Sequence, residues 1–281
     1  MKKVGILPNI EKDKDWSVTK RLAEYLKQHG CTVLLPESAA SQCTFPAMLE
    51  QEECLFQKAD FIICLGGDGT ILGVGRKSAP YGTPILGINL GHLGFLTVVE
   101  KNEAEVAINK VLSGEYKLEK RMLLTAHVVG EETDQLIALN DICVTRGAES
   151  RLLEFRIMIN GDYVDTVRAD GIIICTPTGS TAYNLAAGGP VIKADAQIIA
   201  TTPICAHTLT SRPIVISAED EVEVEVTPKG ETIYSITADG QESKDLQGVH
   251  SFRIGKSAYF ATIIKTSQQS FYDVLRHKLS R

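Results

Sequence analysis

Several kinds of protein are excluded by what this 281-residue chain lacks. No run of lysine and arginine exceeds two residues and the formal net charge is −6, which argues against a nucleic-acid partner. No apolar stretch approaches the ~18 residues of a membrane span, so no membrane association is expected. The N-terminal MKKVGILPN carries only a short apolar run before Pro8, too short for the core of a signal peptide. The seven cysteines, Cys31, Cys43, Cys54, Cys64, Cys143, Cys175 and Cys205, include no CxxC pair. That spacing excludes a zinc knuckle, and the odd count argues against a disulfide framework. Cys64, Cys143 and Cys175 lie inside apolar runs and are expected to be buried free thiols, in a reducing, cytoplasmic compartment.

Chemical signatures are missing too. There is no GxxxxGK[ST], so a Walker-type phosphate loop is excluded, and no GxGxxG follows an N-terminal strand, as a dehydrogenase would require. The six histidines form no HxxxH pair with a nearby acid, and His92 and His207 read as local hydrogen-bonding residues. Without GxSxG or a Cys–His signature, covalent catalysis has no support.

What is present is an alternation of apolar runs and amphipathic segments. Lys3–Leu7, Cys31–Leu35, Phe61–Leu65 and Thr83–Asn89 read as strands, and FIICL is apolar at every position, as a strand covered on both faces should be. Trp16–His29 reads as a helix that Asp15 caps and Gly30 closes, and Glu103–Leu112 as one between Asn102 and Gly114. Strands alternating with helices imply βαβ units and a parallel sheet. Beyond residue 115 the period becomes two, in Leu123–Val129, Leu153–Ile159, Tyr163–Arg168, Glu221–Val226 and Thr232–Thr237. Asn160-Gly161 between two of these runs predicts a hairpin. Gln268–Lys278 restores a helical stripe. The fold expected is an α/β domain with a parallel, Rossmann-like sheet over residues 1–115, then a mostly antiparallel β domain over 116–260. A terminal segment and helix, 261–281, would pack back on the first domain.

Four places could carry chemistry. In Gly66-Gly67-Asp68-Gly69-Thr70 a glycine turn joins a strand to a segment, Ile71–Lys77, that can start a helix. That is a context in which backbone N–H groups bind phosphate. Asp68 would repel a bare phosphate there. It fits as acceptor of a hydroxyl proton, as a ligand to a phosphate-bridging magnesium ion, or as a helix cap. Arg168 and Asp170 stand two apart on a strand and so share a face, for a ligand or for an ion pair. TPTGSTAYNLAAGGP, residues 176–190, has five hydroxyl residues in its first eight and small residues that would admit a flat ring. Ser180 or Thr181 would cap its short helix, and Tyr183 is core or stacking platform. Asn140-Asp141 could read adenine and ribose hydroxyls, and Asp239-Gly240-Gln241 looks like a hairpin turn, but each also reads as an ordinary turn.

Taken in order, GGDGT, the Asn-acid pair, ADG (169–171) running into TPTGSTAYNLAAGGP, His207–Ile216 and Asp239-Gly240-Gln241 resemble the NAD kinase family over most of the chain. The resemblance implies transfer of the terminal phosphoryl of ATP, or another donor such as polyphosphate, to the 2′-hydroxyl of the adenosine ribose of NAD, giving NADP. It implies Asp68 as the catalytic carboxylate. Gly66, Gly67, Gly69 and Thr70 would form the donor loop, and a divalent cation, Mg2+, would be held mainly by the nucleotide. Around NAD it places Asp68, Gly69, Asn140, Asp141, Arg151, Arg168, Asp170, Thr181, Ala182, Tyr183, Asn184, Leu185, Ala186 and Gln241. Where most members of the family have Asn-Glu this chain has Asn140-Asp141, one methylene shorter. The resemblance also implies a homodimer or homotetramer, and a site between the two domains. A lipid or sphingoid-base kinase with a similar GGDG turn is the alternative enzyme, but does not account for Asn140-Asp141 or GSTAY. A non-catalytic NAD(P) sensor would be marked by loss of the aspartate, which is present.

Overall fold

A computed structural model describes the chain except for residues 42, 44–46, 92, 93, 98, 131–134, 148–150, 229, 231, 280 and 281. It forms two compact units: Met1–Lys120 with Phe260–Arg281, and Arg121–Tyr259. Among the described residues no helix is long and apolar enough to cross a membrane.

The first unit runs β1 (Lys3–Pro8), α1 (Ser17–Gln28), β2 (Thr32–Pro36), β3 (Met48–Glu50), α2 (Glu52–Lys58), β4 (Phe61–Gly66), α3 (Asp68–Ser78), β5 (Ile85–Asn89), β6 (Val99–Glu100) and α4 (Ala104–Ser113). Its strands pair in parallel in the order β5-β4-β1-β2-β3, with β6 also on β5. The expected parallel sheet is present. β4 and β5 are buried along their whole length, which is why they read as unbroken apolar runs. Leading away from β1 in opposite directions, the order puts a topological switch point between β1 and β4, where α/β sheets place ligands beyond the carboxyl ends of strands.

α1 buries Val18, Thr19, Leu22, Ala23 and Leu26, the stripe expected of a helix lying on a sheet. Its N-terminus differs from expectation. Asp15 accepts from Ser17, but the buried Asp13 takes the N–H groups of Val18 at 3.1 Å and Thr19 at 2.9 Å. Trp16 turns the chain through a left-handed conformation (φ 57°), which puts the earlier carboxylate in reach. α4 ends at Gly114 as anticipated (φ 85°), but Asn102 does not cap it. The C-terminal helix, Phe271–Leu279, belongs to this unit and buries Val274.

The second unit holds β7 (Lys117–Val128), β8 (Gln135–Ala138), β9 (Asp141–Arg146), β10 (Leu153–Ile159), β11 (Asp162–Ala169), β12 (Gly171–Cys175), α5 (Tyr183–Ala186), β13 (Ile198–Ile204), β14 (Ile214–Ser217), β15 (Val222–Thr227), β16 (Ile233–Ala238), β17 (Glu242–Gln247) and β18 (His250–Lys265). Both changes of unit fall inside strands, β7 and β18. The predicted antiparallel character holds: β14-β13-β12-β9-β16-β17 form one sheet, and β10 pairs with β11 and β15. Alternate residues of β10, Leu153, Phe155 and Ile157, join Val222, Val224, Val226 and Phe252 in the core. The Asn160-Gly161 hairpin forms with φ of 52° and 86°, the two positive angles of a type I′ turn.

Candidate active site

In the first unit the site grows from the end of β4. The chain leaves the sheet at Gly66, and α3 starts at Asp68, three residues earlier than the sequence pattern indicated. Asp68 is therefore the first helical residue, and its carboxylate does not cap its own helix. It reaches instead to the segment after β5. Phe95 N–H donates to Oδ2 at 2.7 Å; Leu96 N–H, Thr97 N–H and the Thr97 hydroxyl donate to Oδ1 at 3.1, 3.0 and 3.1 Å. Gly69 beside it is exposed.

Thr70 ties the turn to β1. Its hydroxyl accepts from Asn9 Nδ2 at 3.1 Å and faces the backbone of Gly66 and Gly67. Lys12 follows Asn9 in the β1–α1 loop, and its ammonium stands over the turn, 3.1 Å from where a β-carbon on Gly67 would be. It has no ion-pair partner among the described residues. Asn9, Lys12 and Phe95–Thr97 were not singled out from the sequence. Two glycines breaking the apolar run after β5, in GHLGFL, were the available signal for the last of these. His92 lies outside the described residues.

In the second unit the site is organised by Asp239. This residue has φ 53° in the type I′ turn between β16 and β17, and its carboxylate accepts the N–H groups of Leu139, Asn140 and Asp141 at 3.0, 2.7 and 3.2 Å. The turn at Asp239-Gly240 is thus more than a connection: it fixes the backbone of the Asn-Asp pair. From the other side Thr176 N–H donates to Asn140 O at 2.8 Å, and the Thr176 hydroxyl to Leu139 O at 2.6 Å. The Asn140 side chain is half-buried, and its amide has no partner among the described residues.

Asp141 is placed differently. It is 4% exposed, accepts the Cys143 thiol at 3.2 Å, and lies within reach of the Asp239 charge. Burial pushes its carboxyl up to about 6, and Asp239 adds to the rise against the opposing Cys143 hydrogen bond. Between roughly pH 4 and 6 the folded chain therefore keeps a proton that the unfolded chain has released. Stability contributed by this group falls as pH rises through that window. Asp141→Asn should be more stable than the parent at pH 8, and the gain should shrink by about 2 kcal/mol at pH 4.5. Urea unfolding at the two pH values measures this, and an equal difference at both would contradict it.

The hydroxyl-rich turn is turned largely inward. Ser180 Oγ donates to Pro177 O at 2.7 Å and accepts from Ile192 N–H at 3.0 Å, so it caps no helix. Thr181 donates to Thr178 O at 3.3 Å. Asn184 is fully buried, with its amide engaged by Ser180 O, Pro190 O and the Thr202 hydroxyl. These side chains shape the turn from inside. What the turn presents is Tyr183, 46% exposed, flanked by Ala182, Leu185 and Ala186. Tyr183 is therefore not core. Its phenol is held above its ordinary value, chiefly by partial burial and then by Cys143, Cys205, Asp141 and Asp170 around it.

Arg168 and Asp170 do not pair with each other. Arg168 meets Glu154 at 2.9 Å across β10–β11, whereas Asp170, between β11 and β12, meets Arg146 at 2.6 Å. The even spacing that would align them on one strand is broken because β11 ends at Ala169. Arg151 is exposed just before β10, without a partner among the described residues, and Gln241 is exposed where β17 begins. No cluster of three or more His, Cys, Asp or Glu side chains able to hold a metal occurs among the described residues.

Unit by unit, these features are those of a nucleotide phosphotransferase. One unit has a glycine turn at a sheet switch point with a single anchored carboxylate. The other offers a free amide and an exposed ring on a rigid β scaffold. Models of the ATP-NAD kinase N-terminal and C-terminal domains match residues 4–116 and 139–266. The chain is 46% identical to the NAD kinase of Thermoanaerobacter sp. (strain X514), over 100% of its own length and 99% of that relative. Its structure resembles an NAD kinase from Archaeoglobus fulgidus in complex with ATP, at 28% identity and TM-score 0.77, covering 99% of this chain and 98% of that one. It has the fold of yeast NADH kinase complexed with NADH (22% identity, TM-score 0.88, 100% of this chain and 88% of that one). The chain belongs to the ATP-NAD kinase family.

Proposed function

We propose that this chain is an NAD kinase that uses Asp68 to direct the 2′-hydroxyl of the adenosine ribose at the terminal phosphoryl group of ATP. The observation that carries the assignment is the state of Asp68. Its Oδ1 is surrounded by three donors, whereas Oδ2 receives one and keeps a lone pair for a further hydrogen. A carboxylate so fixed accepts the hydrogen bond of the attacking hydroxyl and aims its oxygen. Phosphoryl transfer depends chiefly on such positioning and on charge neutralisation. Gly66, Gly67 and Gly69 let the donor phosphates approach the backbone, and Lys12 supplies a cation over Gly67.

Asn140, held at its backbone on two sides, reads the adenine, and Tyr183 with Ala182 and Ala186 offers a surface for a flat ring. Asp170, Gln241 and the exposed Arg168 and Arg151 complete the polar surroundings of the dinucleotide. Thr181 and Asn184 act from behind, by setting the backbone, and the Asp141 side chain is turned to the Cys143 thiol. A divalent cation, Mg2+, would be held mainly by the substrate phosphates, since this ion keeps several waters and asks for no cluster of protein ligands. When bound it offsets the charge on the phosphates. The chain works in the cytoplasm, in keeping with the buried thiols of Cys31, Cys64, Cys143 and Cys175. A homodimer or homotetramer belongs to the same reading, tested by sedimentation.

Incubation with NAD, ATP and Mg2+, followed by detection of NADP with a strictly NADP-dependent dehydrogenase, tests the assignment. Absence of NADP across varied metals and donors would sink it.

A further inference from the structure

We infer that residues 94–97 are the element that positions the reacting carboxylate, with Gly94 and Thr97 as positioning residues for phosphoryl transfer. The inference rests on Asp68 being that carboxylate. Among the described residues, every hydrogen bond the Asp68 side chain makes comes from this one segment, which folds on itself through Gly94 N–H to Thr97 O at 3.2 Å. Three consecutive backbone N–H groups and one hydroxyl converge on two oxygens. A carboxylate oxygen has two lone-pair sites, so three donors saturate Oδ1 and leave the open site on Oδ2. The segment therefore decides which oxygen reacts, and it fixes the rotation of the carboxylate plane.

Two residues make this possible. A β-carbon on Gly94 would overlap Oδ1 and Cγ of Asp68. Any side chain at position 94 must push the carboxylate off its four donors, because the obstacle is the very group they hold. Thr97 is fully buried, so its hydroxyl meets no competition from solvent for Oδ1. Displacement of a reacting group by about 1 Å can cost 100-fold in rate even when binding survives. Gly94 and Thr97 should therefore act on kcat and spare the affinity for substrates.

NADP formation is to be compared in the parent, Gly94→Ala, Thr97→Val and Thr97→Ser. We expect kcat to fall about 100-fold in Gly94→Ala and about 10-fold in Thr97→Val. Thr97→Ser, which keeps the hydroxyl, should stay within about 3-fold of the parent, and KM for NAD and ATP should move by no more than about 3-fold throughout. Far-UV circular dichroism and melting verify folding, and if Gly94→Ala does not fold, the threonine pair decides. Parental kcat in Thr97→Val, a loss confined to KM, or a serine variant as slow as the valine would overturn the inference.

A second measurement does not require turnover. Amide hydrogen exchange at Phe95 and Leu96 should quicken about 10-fold or more in Asp68→Ala, since both amides lose their acceptor. Unchanged exchange overturns the inference, whereas a parent protein that makes no NADP overturns the kinase reading.

Discussion

Asp68→Asn should lower kcat by about 100-fold or more while leaving NAD affinity within a few-fold. On the proposed role the change removes the charge that would hold the attacking hydroxyl, and it also disturbs the seat of the side chain. An asparagine has one acceptor oxygen and one NH2 group. With the oxygen in the Oδ1 position, the NH2 faces Phe95 N–H across 2.7 Å; with the amide flipped, it faces three donors. Either way a donor opposes a donor. Asp68→Ala leaves the four donors merely without an acceptor, so its folded state should be disturbed no more than that of the asparagine. Steady-state kinetics with calorimetric NAD binding measures the first expectation. A variant with parental kcat would reduce Asp68 to a structural role.

The second large effect concerns stability. A β-carbon on Gly179 would overlap the carbonyl oxygen of Asn140 and lie 2.5 Å from its carbonyl carbon and 2.7 Å from its α-carbon. Those atoms are backbone, held by Asp239 on one side and Thr176 on the other, and cannot step aside. Gly179→Ala should therefore cost about 3 kcal/mol, the upper range for overpacking. For a protein of this size that corresponds to a fall in Tm of roughly 9 °C. Because the obstacle is Asn140 itself, NAD binding should weaken as well, which an equally destabilising core truncation such as Phe155→Ala would not produce. Melting curves and NAD titrations of both variants check this. A Tm within about 2 °C of the parent would mean that the turn can shift.

Residues that act through a local pattern were legible. GGDGT stands between an all-apolar strand and a helix, and structure places it there because both signals are periodic and short-range. The Asn160-Gly161 turn needed two positive φ angles, and its residue types announce them. The parallel-then-antiparallel architecture followed from the change of period near residue 115. Residues that act through backbone donors were not legible. Phe95, Leu96 and Thr97 grip Asp68 with N–H groups that nearly any residue supplies, and nothing in their side chains marks them. Asp239 read as an ordinary turn residue because its three partners lie about a hundred positions earlier.

Direction was the other missing quantity. Composition made residues 176–184 a turn rich in hydroxyl groups, but whether each faces a ligand or the interior depends on neighbours brought in by β13 and by the Ile192 segment. Asn184 and Ser180 face inward and Tyr183 outward. Arg168 and Asp170 are two apart in sequence, yet the end of β11 between them sends each to a different partner.

The sequence by itself determined the alternation of strands and helices before residue 115, the class of each sheet, the family and the place of GGDGT after an apolar strand. All of these rest on spacing and residue type, which survive without coordinates. Tertiary structure alone decided which oxygen of Asp68 is open, why Gly94 and Gly179 carry no side chain, and which polar groups are already engaged. Those are questions of distance between segments far apart in the chain, and a hydrogen bond exists or not over a few tenths of an ångström.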